Sequence, residues 1–195
     1  MIAVRRGVVV LVVVGGVAWA TSAMATDGAT EKTFAPGQRI WMDLSAGGYR
    51  IQAGRDDRIV VRWETRSGEA DELRVDLTIK GSEATLVTKG PKNHFNVVVE
   101  LPARTDLTMR LTAGDVRIRG VAGSKDISVW AGDIDIDVGR AEDYRTVDAS
   151  VTAGDLSAPA FHVSKGGLFR SFSWQGPGKY DLNVRLTAGD LKLRD

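Results

Sequence analysis

The side chains most suited to chemistry in this sequence are four aspartates that recur in one short motif. Each follows a glycine in an Ala-Gly-Asp triplet, and the four pairs are Gly114-Asp115, Gly132-Asp133, Gly154-Asp155 and Gly189-Asp190. If repeats stack these carboxylates, their like charges repel, so they need backbone N–H donors or a bound cation. Gly-Asp pairs are typical of tight bends, which favours a structural turn whose carboxylate accepts turn amides.

A calcium site is the alternative interpretation of these aspartates. The segment Gly132-Asp-Ile-Asp-Ile-Asp137 is similar to one unit of the glycine- and aspartate-rich nonapeptides that bind calcium. Tandem copies of that unit are absent, and neither His94 nor His162 has a Glu or Cys in metal-ligand spacing. We therefore predict no metal site and no cofactor.

Nucleophilic catalysis has little support in the sequence. There is no cysteine, which excludes thiol catalysis, thiolate metal sites and disulfides. Serines such as Ser150, Ser157 and Ser171 lie outside any Gly-x-Ser-x-Gly elbow. We expect no catalytic residues and a protein that is not an enzyme.

Three tryptophans, Trp41, Trp130 and Trp174, are the candidate binding residues. Alternation places Trp41 and Trp130 on the strand face opposite to their apolar neighbours. Exposed aromatic rings can stack on sugars or bury themselves in a protein partner. The alternative is that the three rings pack within their own domain.

The elements that position these residues follow from the repeat. Leu111-Thr-Ala-Gly-Asp-Val-Arg-Ile-Arg119 alternates apolar and polar residues on both sides of Gly-Asp, which predicts strand, corner, strand. The four motif glycines are 18, 22 and 35 residues apart, and a period near 20 predicts a β-solenoid. In chain order, a ladder of buried residues would run from Ile134 to Leu156 to Leu191, with a degenerate coil near residues 165–174.

Two pairings between strands are also predicted. Residues 75–79 and 84–88 alternate around Gly81-Ser82, which predicts a hairpin. In aligned coils, the aspartates of residues 134–137 face the arginines of residues 116–119, so opposite charges would fix the register of the coils.

Residues 1–25 predict a secretory signal peptide. Arg5 and Arg6 precede an apolar run, and Ala23-Met-Ala25 supplies a small-residue cleavage site. Retention as an uncleaved anchor is the alternative. Cleavage removes two of the 26 Lys and Arg residues and none of the 25 acids. The resulting near-neutral charge gives no reason to expect a nucleic-acid partner, and no membrane span would remain.

The rest of the chain predicts one all-β domain. Residues 26–38 read as a flexible leader and residues 39–195 as a single domain. Within it, residues 39–104 have irregular spacing, which predicts a sandwich-like cap, and residues 105–195 carry the regular coils. No helical periodicity follows the predicted signal peptide.

The strand that ends in Leu101-Pro102, the segment 111–120 and the recurrent Ala-Gly-Asp-Ile/Leu motif resemble the bacterial adhesin-like family of unknown function DUF4097. The resemblance covers roughly residues 39–193. It implies an exported or membrane-tethered, right-handed β-solenoid with no catalytic residues to carry over. The copy at Leu44-Ser-Ala-Gly-Gly-Tyr-Arg-Ile51 departs from the pattern, with Gly48 in place of Asp.

The function expected from these observations is a non-enzymatic, exported protein of the periplasm or cell surface. Its strand ladders would present a surface to an envelope or extracellular protein or polysaccharide. A polysaccharide-acting β-helix enzyme and a purely structural envelope module remain the alternatives.

Overall fold

The computed structural model describes residues 26–65, 73–90 and 95–195. The predicted signal peptide 1–25 and His94 lie outside the described residues. In the described ranges the chain forms β-strands and short 3-10 turns, without an α-helix. No helix in these ranges has the length and apolar character needed to cross a membrane. The all-β prediction is confirmed.

The described ranges contain seventeen strands. They are β1 (Thr26–Thr33), β2 (Arg39–Leu44), β3 (Gly48–Ala53), β4 (Arg58–Thr65), β5 (Arg74–Lys80), β6 (Glu83–Lys89), β7 (Phe95–Leu101), β8 (Asp106–Ala113), β9 (Val116–Arg119), β10 (Lys125–Ala131), β11 (Ile134–Asp137), β12 (Tyr144–Ala153), β13 (Leu156–Ala158), β14 (Val163–Lys165), β15 (Leu168–Gln175), β16 (Tyr180–Ala188) and β17 (Leu191–Arg194). The same described ranges contain two 3-10 turns, at Ala141–Asp143 and Pro159–Phe161.

The strands form two mixed sheets. Sheet A has the order β1-β4-β7-β3-β9-β11-β17-β13-β14, and sheet B has the order β15-β12-β16-β10-β8-β2-β6-β5. Six pairs of consecutive strands place their first strand in sheet B and their second in sheet A, and each pair is called a layer. In space the layers follow the order β6/β7, β2/β3, β8/β9, β10/β11, β16/β17, β12/β13, with parallel pairing throughout.

Alternating side chains place the core between the two sheets. In layer β10/β11, Ile127, Val129, Ile134 and Ile136 are buried, and the residues between them face outward. Burying one such side chain contributes roughly 1.5–3 kcal/mol. Because each layer covers these residues only with its neighbours, the layers stabilise one another.

The order of the layers differs from the predicted order of coils. Leu191 pairs with Ile134 on one side and with Leu156 on the other, so β17 lies between β11 and β13. A solenoid that advances coil by coil would have placed Leu156 beside Ile134. The motifs at the corners are nearly identical in pattern, so local sequence does not specify which two layers become neighbours.

The predicted degenerate coil at residues 165–174 is also absent. The chain instead folds back after β13, and β14 and β15 run antiparallel at the outer edges of sheets A and B. Antiparallel strands cannot continue a parallel stack, so they close this end of it.

The opposite end combines predicted and unexpected features. The hairpin is confirmed, because Leu77 of β5 pairs with Leu86 of β6 in an antiparallel register. Layer β2/β3, expected in an irregular cap over residues 39–104, lies inside the parallel stack. Residues 26–33 of the predicted flexible leader form β1, which pairs antiparallel with β4 along its whole length. The ladder of backbone hydrogen bonds outweighs the polar composition of this segment.

Candidate functional site

The four Ala-Gly-Asp corners form one continuous column of close backbone contacts. Gly114, Gly132, Gly154 and Gly189 have φ values from 122° to 133°, a region that disfavours side chains. A Cβ added at Gly132 would lie 2.0 Å from the carbonyl oxygen of Gly114. Each motif therefore requires glycine for two reasons, the positive φ and the close approach of the adjacent layer.

Three of the corner aspartates accept a backbone N–H from the next layer. The amide of Asp133 donates to Asp115 Oδ1 at 3.3 Å, that of Asp190 to Asp133 Oδ1 at 3.0 Å, and that of Asp155 to Asp190 Oδ1 at 3.0 Å. The donors are turn amides, as the structural interpretation requires, but they belong to the adjacent layer. Among the described residues, no group of three or more His, Cys, Asp or Glu side chains is arranged to hold a metal ion.

Charged residues on the outer face of sheet A connect three layers. Asp135 of β11 accepts a hydrogen bond from Arg119 of β9 at 2.6 Å and also pairs with Arg194 of β17. The register places Arg117 directly beside Asp135, yet the ion pair forms with Arg119, which is diagonal to it. Opposite charges therefore do pair between neighbouring layers, as predicted, but the partner of Asp135 on β9 is Arg119 and not Arg117.

The three candidate tryptophans occupy different environments. Trp174 is half-buried and packs on Phe161 at the edge of the core, with ring centroids 5.2 Å apart. Trp41 is half-buried on the outer face of sheet B, in register with Thr85 and Thr108. Trp130 is the exposed one, with 66% of its surface accessible. The structure therefore separates Trp130 from the two residues with which the sequence grouped it.

Trp130 lies on β10, near the centre of sheet B. Ser128, on the same strand and face, is in register with Arg110 of β8 and Arg185 of β16. With Thr112 and Thr187, these residues line a shallow depression of about 560 Å³ beside the indole ring. Guanidinium and hydroxyl groups that can donate hydrogen bonds therefore surround the ring, and the carboxylate of Asp43 lines the same depression.

The two arginines beside Trp130 are largely available to a ligand. Arg185 lies 3.6 Å from Asp126, and both side chains are more than half exposed, so this pair contributes little stability. Arg110 forms no ion pair with any described residue. The outer face of sheet B therefore combines an exposed aromatic ring with two cations that are weakly engaged.

Sequence reasoning missed a second exposed aromatic residue. Phe169 is 80% exposed and its neighbour Leu168 is 62% exposed, at the start of β15. Phe169 also has a φ of 54°, which is rare for a bulky residue. The pattern did contain a sign, because two adjacent large apolar residues after Gly166-Gly167 break the strand alternation.

A depression of about 450 Å³ on the outer face of sheet A contains arginines but is nearly neutral. Arg50 and Arg117 are in register there, and Arg62 lies nearby. Glu64 and Asp115 line the same depression. Opposite charges also share the depression around Trp130, which Asp43 lines, but none of the residues that line the depression on sheet A is an exposed aromatic residue.

A buried lysine lies within the stack. Lys125 is 1% exposed, and its Nζ donates hydrogen bonds to the oxygen of Gly123 and to Tyr144 Oη, both at 3.1 Å. Burial lowers the pKa of Lys125 to about 8, against an opposing effect of Asp137 and Asp106. Burial likewise raises the pKa of the Tyr144 phenol above its usual range. These groups are enclosed, which indicates a structural role.

Residues that could support catalysis are not brought together. His162 is exposed and follows the 3-10 turn at Pro159–Phe161 with a φ of 57°. Ser150 and Ser171 are cross-strand partners on β12 and β15, and Ser157 lies on β13 in the other sheet. In the described ranges none of these serines forms a hydrogen bond with His162.

Comparison with known proteins identifies the fold class. No family model matches the chain, and no curated protein matches it. The crystal structure of a "putative cell adhesion protein" from Clostridium sporogenes is similar at 13% identity, over 87% of this chain and 99% of that chain, with a TM-score of 0.54. This likeness shows a shared all-β fold.

A second similar structure is more distant. It is a "putative adhesin" from Parabacteroides distasonis, with 14% identity over 88% of this chain and 71% of that chain, and a TM-score of 0.29. A score this low adds no support beyond the first comparison.

Proposed function

We propose that this chain is an exported, non-enzymatic, adhesin-like β module that binds an envelope or extracellular polysaccharide. The binding surface is the outer face of sheet B around Trp130. The exposure of Trp130 is the observation that carries this proposal. An indole ring left in solvent loses the free energy that its burial would provide, and tryptophan is enriched at protein interaction surfaces.

The surroundings of Trp130 favour a sugar over an apolar partner. Arg110, Arg185, Ser128 and two threonines supply hydrogen-bond donors next to the ring. A pyranose ring has apolar C–H faces that stack on an indole and hydroxyl groups around its edge that pair with such donors. A purely apolar partner would leave these donors buried without acceptors, which costs free energy.

The same proposal includes the family, the export and the location of the protein. We propose membership of the DUF4097 family, removal of residues 1–25 during export, and a location in the periplasm or at the cell surface. The Clostridium sporogenes protein of similar fold, whose name refers to cell adhesion, supports this proposal. We also propose that the six layers have the right-handed geometry of β-solenoid coils, although their order in space departs from chain order.

The test is retention of the purified protein on peptidoglycan, outer-membrane and extracellular-polysaccharide fractions. We expect Trp130→Ala to reduce the affinity behind this retention about fivefold or more, since stacking on an aromatic ring contributes roughly 1–3 kcal/mol. Lys192→Ala, on the exposed outer face of sheet A, is the matched control and should bind normally. Equal retention of the Trp130→Ala and unsubstituted proteins would contradict the site. Absence of retention on every fraction would favour a structural module.

The non-enzymatic part has a separate test. Incubation of the protein with each polysaccharide fraction should release no new reducing ends. Release that persists in a homogeneous preparation would favour the alternative of a polysaccharide-acting enzyme.

A further inference from the structure

We propose, on the basis of the function proposed above, that the ligand is an extended acidic polysaccharide. It would run across the strands of sheet B from Trp130 to Phe169, so that several sugar residues are bound at once. Phe169 would then be a second binding residue of the same site.

The strand register places the two aromatic residues in one line. Ala131 pairs with Ala188, Ala188 with Ala153, and Ala153 with Leu168. The residues adjacent to these on the four strands therefore form a parallel line. It consists of Trp130 on β10, Thr187 on β16, Thr152 on β12 and Phe169 on β15. Three strand spacings separate its two ends, a span of roughly 14 Å. That distance exceeds one sugar ring and suits a run of several.

The residues between the two rings suit a glycan better than a lipid surface. Thr187 is half-buried and Thr152 is exposed, so hydroxyl groups occupy the space between Trp130 and Phe169. A membrane-binding surface would require a continuous apolar patch, whereas here polar groups interrupt it. Rings at both ends with hydroxyl groups between them match the alternating apolar and polar character of a sugar chain.

A second line of residues supplies the preference for acidic sugars. Next to the aromatic line, the register aligns Asp43, Arg110, Ser128, Arg185 and Ser150 on successive strands. Asp43 forms no ion pair with any described residue, so the Arg110 guanidinium is not neutralised by a direct contact. The two arginines are two strand spacings apart, roughly 10 Å. Guanidinium groups bind carboxylates with two parallel hydrogen bonds. Carboxylates on separate sugars of one chain could therefore pair with both arginines.

The backbone at Phe169 supports a binding role. A positive φ at a bulky, exposed residue is unfavourable, and such conformations are concentrated at binding and catalytic sites. Packing does not explain the conformation, because the side chain is 80% exposed. Stacking on a bound sugar would give this ring the contact that the free protein lacks.

The experiment measures affinity against ligand length by calorimetry. Oligomannuronates from the dimer to the octamer are the acidic probes, and cello-oligosaccharides of the same lengths are the neutral controls. We expect affinity for the acidic series to rise about tenfold or more with length. Phe169→Ala should remove that rise and leave dimer binding unchanged, whereas Trp130→Ala should weaken binding at every length. The Arg110→Gln/Arg185→Gln variant should lose the preference for acidic over neutral oligomers.

The experiment distinguishes failure of the extended site from failure of the proposed function. If Trp130→Ala weakens binding while Phe169→Ala binds long oligomers normally, the extended site is wrong and the proposed function stands. If no oligosaccharide binds, but vesicles of anionic phospholipid bind and Leu168→Ala/Phe169→Ala abolishes this, a membrane surface replaces the glycan. Phe169→Gly, which relieves the positive φ, and equal melting temperatures for all variants control for misfolding.

Discussion

Each end of the layer stack has an inner and an outer layer, but the two layers follow one another along the chain in opposite order at the two ends. At the end that contains β5, the inner layer β2/β3 comes first in sequence and the outer layer β6/β7 comes second. At the end that contains β15, the outer layer β12/β13 comes first, and β16/β17 then fills the position between it and β10/β11. Antiparallel strands reverse the chain direction at both ends.

This difference gives the two ends different requirements for folding. Once β2/β3 has formed, the layers β6/β7, β8/β9 and β10/β11 can associate in chain order, each onto a neighbour that already exists. Layer β12/β13 has no parallel neighbour until residues 180–194 have entered the stack. The end with β15 therefore depends on the last strands of the chain.

The buried polar groups of the two ends also differ. Beside layer β2/β3, the Tyr49 hydroxyl donates to the carbonyl oxygen of Ser45 at 2.9 Å and lies 2.7 Å from the hydroxyl of Thr88. Near β12 and β16, the Lys125 ammonium contacts Tyr144 instead. One end thus contains a neutral network and the other a buried cation, so only the second should respond to mild alkaline pH.

The largest effect is expected from removing the last layer. Deletion of residues 180–195 removes five buried apolar side chains, Leu182, Val184, Leu186, Leu191 and Leu193. At roughly 1.5–3 kcal/mol each, their loss is comparable with the whole stability of a domain. We expect no cooperative urea transition in circular dichroism.

The matched deletion at the other end removes residues 26–33. This edge strand has no buried side chain from Gly28 to Thr33, so the shortened protein should retain a cooperative transition. A near-normal transition in the chain lacking residues 180–195 would show that β12/β13 does not need its inserted neighbour.

The second largest effect on the free energy of unfolding is expected from substituting a corner glycine. Gly189→Ala should destabilise the protein by about 2–5 kcal/mol, through its φ of 127° and a Cβ placed 2.1 Å from the oxygen of Gly132. Gly47→Ala, at the other end, should cost about 1–3 kcal/mol, because its Cβ meets the ring of Phe95, which can shift. Urea denaturation compares the two. A cost for Gly47→Ala equal to or above that for Gly189→Ala would contradict this ranking.

A third effect depends on pH. The folded protein releases the Lys125 proton near pH 8, and the unfolded chain holds it until about pH 10.5. Between these values the unfolded state holds the Lys125 proton more often, so the free energy of unfolding should rise, by roughly 2 kcal/mol up to pH 10. The raised pKa values of Tyr49 and Tyr144 oppose this rise near pH 10, because the unfolded chain loses those phenol protons first. Lys125→Met should remove the rise. Tyr49→Phe, at the other end, should retain it, and a flat profile in the unsubstituted protein would contradict the assignment.

The smallest effect concerns the ion pairs on sheet A. Asp135→Asn should cost about 1 kcal/mol, because the carboxylate joins arginines of two other layers but remains partly exposed. Glu100→Gln, which weakens the partly exposed pair with Arg62 and keeps an amide oxygen that can accept from Gln52, should cost less than about 0.5 kcal/mol. Both costs should be smaller in high salt than in low salt, as measured by urea denaturation at each salt concentration, because salt screens exposed ion pairs. A salt-independent loss in Asp135→Asn would indicate a packing effect.

The candidate site was only partly predictable. Alternation predicts the outward position of Trp130, because side-chain direction in a strand is a local property. Alternation does not predict that Trp174 is packed while Trp130 is exposed. The packing of Trp174 on Phe161 depends on where β15 lies relative to the second 3-10 turn. The exposure of Phe169 and its alignment with Trp130 depend on three strand pairings between distant segments.

The sequence by itself determined the strand, corner, strand unit of this protein. Period-two alternation and the Gly-Asp pairs act over a few residues, so they specify each unit without reference to the rest of the chain. Only the tertiary structure decided which units are neighbours, because repeated motifs offer almost the same edge to any partner. The insertion of β16/β17 beside β10/β11, and with it the surface that joins Trp130 to Phe169, follows from contacts between segments far apart in sequence.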